Sequence, residues 1–240
     1  MGLHDGHRTR MYEKLEKGNL AEHEWLEVLL YNGLPRRNTN ELAHRLIDKF
    51  GSTALVLSAS VKELCKVEGV GLSVAGYLHT IGRFFEEYTV AHEPQFEGCF
   101  SHEKFLPFVK KVYASHIFEV IDIYLLTGEG SILGKKRFTT EDFFTASVAP
   151  EKVTNFILTE GAVGVVLVHN HPHGHCKPSD ADYAMTKKLQ MLCNINNRLL
   201  CDHFIYAPTG VYSFYLSEDM LEINREYLMS NLLKKQKGDS

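Results

Sequence analysis

The segment 167–182, LVHNHPHGHCKPSDAD, concentrates metal-binding side chains directly after an aliphatic run. In an extended chain, side chains two residues apart point to the same side, so His169 and His171 can face one metal ion while Asn170 points elsewhere. Asp182 follows eleven residues after His171, in the first turn of a predicted helix, and a loop of that length can fold back to offer a carboxylate. Two imidazoles and one carboxylate leave a fourth position open on zinc, which is typical of catalytic rather than structural sites.

A second interpretation of the same segment needs no metal. Ser179 and Asp182 form the S-x-x-D pattern of a helix capping box after Pro178. Histidines in a loop rich in glycine and proline can also be exposed to solvent without binding anything. On either interpretation, His173 and His175 are predicted to be loop residues rather than ligands.

A hydrolytic zinc site also needs a general base, and Glu119 is the candidate. The apolar run 117–126 has the length and the β-branched content of a strand. If that strand includes Glu119, the carboxylate shares a face with apolar residues, and burial would raise its pKa toward values useful in base catalysis. If Glu119 lies only at the strand's start, it faces water. The residues alone leave both placements open.

The composition limits the class of protein. The chain has 240 residues, of which 44% are hydrophobic, and its formal charge of −4 does not point to nucleic acid or a membrane surface. No segment reaches the ~18 apolar residues that a membrane helix needs, and the N-terminal residues lack the apolar core of a signal peptide. The five cysteines are an odd number without a C-x-x-C pair, which favours the reducing cytoplasm.

Two patterns of residues divide the chain. Residues 1–91 are predicted to be a helical domain, and residues 92–100 a linker, because they carry proline, glycine and few aliphatic side chains. Residues 101–222 alternate between helices and strands, which predicts an α+β domain with a mixed sheet flanked by helices. Residues 223–240 are predicted to form a charged C-terminal tail. The individual elements are predicted as helices at 25–34, 40–50, 103–113, 150–160 and 179–192, two further helices separated by Gly69-Val70-Gly71, and strands at 117–126, 164–169, 198–208 and 210–216.

The order His169-Asn170-His171-Pro172, then Ser179 and Asp182, matches the JAMM (MPN-plus) metalloprotease signature H-x-H-P-x6-S-x2-D without a gap. The flanking sequences LVHNHPHG and LLCDHFI resemble the bacterial RadC family with its RadC-like JAB domain. EVIDIYLLTGEGSIL resembles that family's first strand, and GHRTR, LEVLLYNGLPRRNTNELAHRLIDKFGS and LCKVEGVG resemble its helical part. The resemblance extends over nearly the whole chain, from about residue 5 to residue 216.

The resemblance implies an α/β JAB/MPN domain of the cytidine-deaminase-like type that binds one zinc ion per chain through His169, His171 and Asp182. It also implies that Glu119 activates the zinc-bound water and that Ser179 hydrogen-bonds the tetrahedral intermediate. The implied reaction is hydrolysis of an amide or isopeptide bond in a protein or peptide.

Two departures from the family pattern concern the surroundings of this site. The loop after the motif reads HGHCK where relatives often carry S-G-D-x-x, so His173, His175 and Cys176 could hold a second metal or perturb loading of the first. The segment 137–153 lacks a glycine that relatives often place before the following helix. That difference is expected to reshape the substrate groove without affecting the metal.

The helical part carries a candidate helix-hairpin-helix at residues 67–75, VEGVGLSVA. Gly69 and Gly71 permit a tight turn whose backbone N–H groups can face a phosphate of DNA. Glu68 would repel a phosphate, however, and a plain helix–helix turn or a docking surface for a protein also explains the glycines.

Three functions therefore remain open. The first is a zinc-dependent peptidase or isopeptidase in the cytoplasm. The second is a DNA-binding, repair-associated protein or nuclease-like accessory whose metal is structural or serves phosphodiester cleavage, and the third is a metal-dependent interaction module without turnover. Phosphodiester chemistry often uses two metals held by several carboxylates, whereas this motif offers histidines and one aspartate, which favours the first. No membrane partner is expected, and the sequence predicts no oligomeric state.

Overall fold

The computed structural model describes residues 5–35, 37–144 and 150–226, which form two compact units that meet in sequence at His92 and Glu93. The first unit contains α1 (Asp5–Glu16), α2 (Glu22–Gly33), α3 (Asn40–Phe50), α4 (Thr53–Ser58), α5 (Val61–Leu64) and α6 (Leu72–Ala91). The second contains α7 (His102–Tyr113), β1 (Ile121–Leu126), β2 (Ile132–Phe138), α8 (Thr140–Phe144), α9 (Glu151–Ile157), β3 (Gly164–Asn170), α10 (Asp180–Ile195), β4 (Leu199–Ala207), β5 (Gly210–Ser213) and α11 (Asp219–Glu226). A helical unit followed by a mixed sheet with helices confirms the predicted fold class.

The helical unit is held together by the apolar faces of α2, α3, α4 and α6. Leu42 and Leu46 recur one turn apart in α3 and are buried, as the helical spacing predicts. At Gly82, α6 approaches α4 so closely that an added Cβ would lie 2.1 Å from the carbonyl oxygen of Leu57. This position therefore requires glycine for packing rather than for backbone conformation.

The predicted helices around the two hairpin glycines are α5 and α6. Gly69 has a φ of +90°, a region that favours glycine. Gly71 is the N-cap of α6 and supplies no side-chain cap, and an added Cβ there would have nothing within 4 Å. The structure thus places one helix N-terminus at this turn, and DNA binding by Gly69 and Gly71 stays a prediction.

The second unit is built on one five-stranded sheet of order β2-β1-β3-β4-β5. β1 runs antiparallel to β2 and β3, β3 and β4 are parallel, and β4 and β5 are antiparallel. The central strand β3 is buried along its whole length, which explains its continuous aliphatic sequence. α10 covers one face, where Met185 and Leu189 pack, and α7 covers the other through Phe105 and Val109.

Residues 93–100 of the predicted linker 92–100 pack within the second unit, and His92 belongs to the first. Phe96 and Phe100 contact the apolar cluster beneath α7. The carboxylate of Glu93 forms ion pairs with His116, Lys135 and Arg137. Both the aromatic rings and the ion pairs therefore hold this segment on the sheet domain.

The predicted strand at 117–126 is wrong at its start, because β1 begins only at Ile121 and residues 117–120 have no regular structure. β2 was not predicted as a strand, since its sequence ILGKKRF is a polar edge strand with little apolar alternation. The predicted strands at 164–169 and 198–208 correspond to β3 and β4.

The predicted tail 223–240 is described only as far as Glu226, the last described residue of α11, and the rest lies outside the described residues. The segment 145–149, part of the region predicted to reshape the groove, also lies outside them. Within the described ranges, no helix is long and apolar enough to cross a membrane.

Candidate metal centre

The three predicted metal ligands meet where β3 ends and α10 begins. His169 is the penultimate residue of β3, and His171 follows the strand, anchored by a 2.7 Å hydrogen bond from its backbone N–H to the carbonyl of Tyr206 on β4. Asp182 lies in the first turn of α10, whose N-cap is Ser179. The strand end and the helix start thus present two imidazoles and a carboxylate to the same point.

The spacing of the donor atoms fits a single small cation. One atom from each of His169, His171 and Asp182 lies within 4.8 Å of the others, and this is the one such group of three or more among the residues that the structure describes. Asp182 Oδ1 is 3.0 Å from His169 Nδ1, and Oδ2 is 3.5 Å from His171 Nε2. Tetrahedral zinc with ligands at ~2.0–2.1 Å places them about 3.3 Å from one another.

The hydrogen bonds of the two imidazoles leave nitrogen atoms for a metal. His171 Nδ1 lies 2.8 Å from the carbonyl oxygen of His175, so it donates there and its Nε2 lone pair remains free. His169 Nδ1 is buried and has no hydrogen-bond partner, because its contact with Asp182 lacks hydrogen-bond geometry. A cation bound to both His169 Nδ1 and the Asp182 carboxylate would give this buried nitrogen the partner that it lacks.

Charge in the centre is arranged to attract a cation. Burial alone would raise the pKa of Asp182, but the adjacent His169 and His171 imidazoles and the hydrogen bonds from Ser179 outweigh it and hold that pKa far below its usual range. Burial alone would lower the pKa of His169, but the carboxylates of Asp182 and Glu119 raise it to about 8. The site therefore holds ionised carboxylates whose charge the protonated His169 balances. A metal ion could take the place of that proton and balance the same charge.

Glu119 lies beside the cluster, with Oε1 2.8 Å from His169 Nε2. Its side chain is 56% exposed, as expected for the placement at the strand's start and not for the apolar face. Burial on the apolar face, the one placement for which an upward shift of its pKa is predicted, does not occur. The hydrogen bond from His169 is the largest influence on the pKa of Glu119 and lowers it, against the smaller effect of partial burial.

Sequence reasoning missed the role of Asn170, which lies between the two histidines. Its side chain points away from them, as predicted, and is fully buried. Oδ1 accepts a 2.6 Å hydrogen bond from the N–H of Val120, and Nδ2 donates to the carbonyl of Phe118 at 3.1 Å. The partners are about fifty residues upstream, so no local pattern could have identified them.

A second buried contact behind the cluster was also missed. Thr186, one turn after Asp182, donates its Oγ1 proton to the carbonyl of Asp182 at 2.6 Å. Since the hydroxyl proton of Thr186 is used in this bond, His203 Nδ1 must donate its own proton to the Oγ1 of Thr186, at 2.7 Å. Burial is the main cause that lowers the pKa of His203 to about 3, so this imidazole is neutral. The sequence signal was the threonine one turn beyond the aspartate and the histidine in LLCDHFI.

The remaining candidate residues surround the centre without joining it. Ser179 forms the predicted capping box: its Oγ and N–H both donate to Asp182 Oδ2 at 2.7 Å, and the N–H of Asp182 donates back to the Oγ. The capping and metal interpretations are therefore compatible, and the role of Ser179 toward an oxyanion stays a prediction. His173 contacts the carbonyl of Ile117, and neither it nor His175 nor Cys176 belongs to the three-residue group.

Comparison with known proteins agrees with this architecture. The RadC-like JAB domain profile matches residues 100–221, and the UPF0758 N-terminal profile matches residues 6–75. A UPF0758 protein of Shewanella frigidimarina is 29% identical over 199 residues, which cover 82% of this chain and 88% of that protein. A UPF0758 protein of Ruegeria pomeroyi is 28% identical over 211 residues (87% and 94%), and one of Acinetobacter baumannii is 29% identical over 197 residues (82% and 84%). The chain belongs to the RadC family, whose JAB domain is related to the JAMM domains.

Proposed function

We propose that the protein is a zinc-dependent hydrolase of amide bonds, a peptidase or isopeptidase, with one zinc ion held by His169, His171 and Asp182. The observation that carries the proposal is the convergence of these three donors, with the carboxylate of Glu119 hydrogen-bonded to one of them. The donor set also suits zinc chemically, because two imidazoles and one carboxylate leave a position for water or substrate.

The reaction divides between the metal and the protein's own residues. A zinc ion, when bound, lowers the pKa of a coordinated water to about 7 and polarises a carbonyl. Glu119 accepts the proton of the attacking water and returns it to the nitrogen of the departing amine. Its lowered pKa keeps it ionised and ready to accept at neutral pH, and its exposed position leaves it accessible to a substrate. Ser179 is proposed to donate a hydrogen bond to the developing oxyanion.

Zinc content and peptide cleavage test this proposal together. The wild type should hold about one zinc per chain by elemental analysis. His171→Ala should lose the ion, whereas His175→Ala, the matched loop control, should keep it, because only the backbone carbonyl of His175 contacts the site. Glu119→Gln should retain zinc and lose cleavage of a peptide and isopeptide library. A wild type that fails to bind added zinc would refute the proposal.

A second proposal concerns a DNA partner, and it rests on the turn at Gly71. This glycine caps the 20-residue helix α6 without a side chain, which leaves backbone N–H groups for a phosphate. The position accepts a Cβ, which would have nothing within 4 Å, so Gly71→Glu can place a negative charge at the helix N-terminus. It should abolish salt-sensitive binding to duplex DNA in fluorescence anisotropy, whereas Gly71→Ala should not. Absence of binding by the wild type at low salt would refute the proposal.

A further inference from the structure

We infer that Asn170 is a positioning residue that anchors the backbone on both sides of Glu119 and so keeps the proposed general base at the metal centre. The inference rests on the proposed function, because it concerns the geometry of the same site. The residues on either side of Asn170 are proposed zinc ligands, but zinc binding and base catalysis do not by themselves require an asparagine between them. The inference gives this asparagine a role.

Glu119 needs such an anchor because of where it lies. The last pair of the β1–β3 ladder is Ile121 with His169, and residues 118–120 have no regular secondary structure. A glutamate with an exposed side chain on irregular backbone has many conformations available. Yet its carboxylate must stay within hydrogen-bond distance of a reacting proton for base catalysis.

The carboxamide of Asn170 supplies that restraint from the opposite side of the strand. Its Oδ1 accepts from the N–H of Val120 at 2.6 Å, and its Nδ2 donates to the carbonyl of Phe118 at 3.1 Å. Its own backbone N–H donates to the carbonyl of Val120 at 3.3 Å. Three hydrogen bonds thus hold the residues immediately before and after Glu119.

The chemistry of the anchor explains why an amide occupies this position. The N–H of Val120 requires an acceptor and the carbonyl of Phe118 requires a donor, and an asparagine side chain offers both within one planar group. Side chains alternate along the end of β3, so His169 and His171 face the metal centre while Asn170 faces the segment that carries the base. The end of β3 thereby positions both the proposed ligands and the segment that carries the proposed base.

The test compares Asn170→Ala with Asn196→Ala, which removes another amide that bonds a backbone carbonyl, at the far end of α10. The readouts are amide hydrogen exchange at Val120 by NMR, zinc affinity, and kcat and KM for any peptide that the wild type cleaves. For Asn170→Ala we expect exchange at Val120 to speed up about tenfold or more and zinc affinity to change by less than about threefold. We expect kcat to fall about 10- to 100-fold with little change in KM. The control variant should leave all of these as in the wild type.

Unchanged exchange at Val120 and unchanged kcat in a folded Asn170→Ala protein would overturn the inference. If that variant does not fold, Asn170→Ser, which keeps a polar group but is too short to bridge, takes its place. In the wild type itself, rapid exchange of the Val120 amide would also overturn the inference. A wild type without zinc or cleavage would count against the proposed function alone, and exchange at Val120 would still decide whether the anchor exists.

Discussion

Replacing Thr186 by valine removes one buried hydroxyl with almost no change in shape. In the structure, this hydroxyl joins the carbonyl of Asp182 to His203 Nδ1, and all three residues are buried. The carbonyl lies within helix α10 and keeps its helical hydrogen bond in the variant. The imidazole of His203 has no such alternative, because its Nε2 is already buried without a partner.

The cost follows from the polar group left without a partner. An unsatisfied buried donor costs about 1–3 kcal/mol, so Thr186→Val should lower the free energy of unfolding of the second unit by about 2 kcal/mol. Thr186→Ser is the matched control: it keeps the hydroxyl and loses one methyl group, at a cost of about 1 kcal/mol. Valine should therefore be the more destabilising change although it fills the site better. Since Asp182 is a proposed ligand, we also expect zinc affinity to fall up to about tenfold in the valine variant.

The assay must report on the second unit alone. The one tryptophan, Trp25, lies in α2 of the helical unit, so its fluorescence follows the other unit. Hydrogen exchange of peptides from α10 and β4 in increasing urea gives the local free energy of unfolding, and competition with a chelator gives zinc affinity. A valine variant as stable as the serine variant would refute the assignment of the hydroxyl as the partner of His203.

Three further predictions follow from packing, charge and metal binding. Gly82→Ala should unfold or strongly destabilise the helical unit, because its Cβ would lie 2.1 Å from the carbonyl oxygen of Leu57. Gly76→Ala on the same helix, whose Cβ would have nothing within 4 Å, should stabilise the unit by about 0.5–1 kcal/mol. Urea titration of Trp25 fluorescence measures both. Burial raises the pKa of Glu93, but His116 and Lys135 outweigh burial and lower it from 4.5 to about 2. The ionised Glu93 should therefore stabilise the second unit by about 3 kcal/mol above pH 4.5, and this stabilisation should disappear as the pH falls to about 2. Glu93→Gln should lack this pH dependence of the free energy of unfolding, measured by hydrogen exchange in increasing urea. Zinc at one hundred times its Kd should stabilise the wild type by about 2.7 kcal/mol and leave His171→Ala unchanged in the same measurement.

Local spacing predicted those parts of the site whose partners are close in sequence. His169 and His171 share a side because β3 is extended to its end, and Ser179 and Asp182 cap α10 because a capping box needs only a three-residue offset. The start of β1 depends instead on a partner about fifty residues away: the side chain of Asn170 takes the hydrogen bonds that a ladder would have made. The two placements of Glu119 stayed open for the same reason, since only a strand over all of 117–126 would have buried its carboxylate on an apolar face and raised its pKa.

The two interpretations of LVHNHPHGHCKPSDAD are compatible, because the cap bonds engage Oδ2 of Asp182 and Oδ1 takes no part in them. Oδ2 accepts from the N–H and the Oγ of Ser179, while Oδ1 lies against His169 Nδ1. The cap bonds and the helix N-terminus both favour the ionised carboxylate, which is the form that a metal requires. The hydroxyl of Ser179 has one proton, however, and in the structure it is donated to Asp182. A hydrogen bond from Ser179 to an oxyanion therefore requires Asp182 to give up this bond, and we expect metal ligation to make that exchange easier, because the cation draws negative charge from the carboxylate.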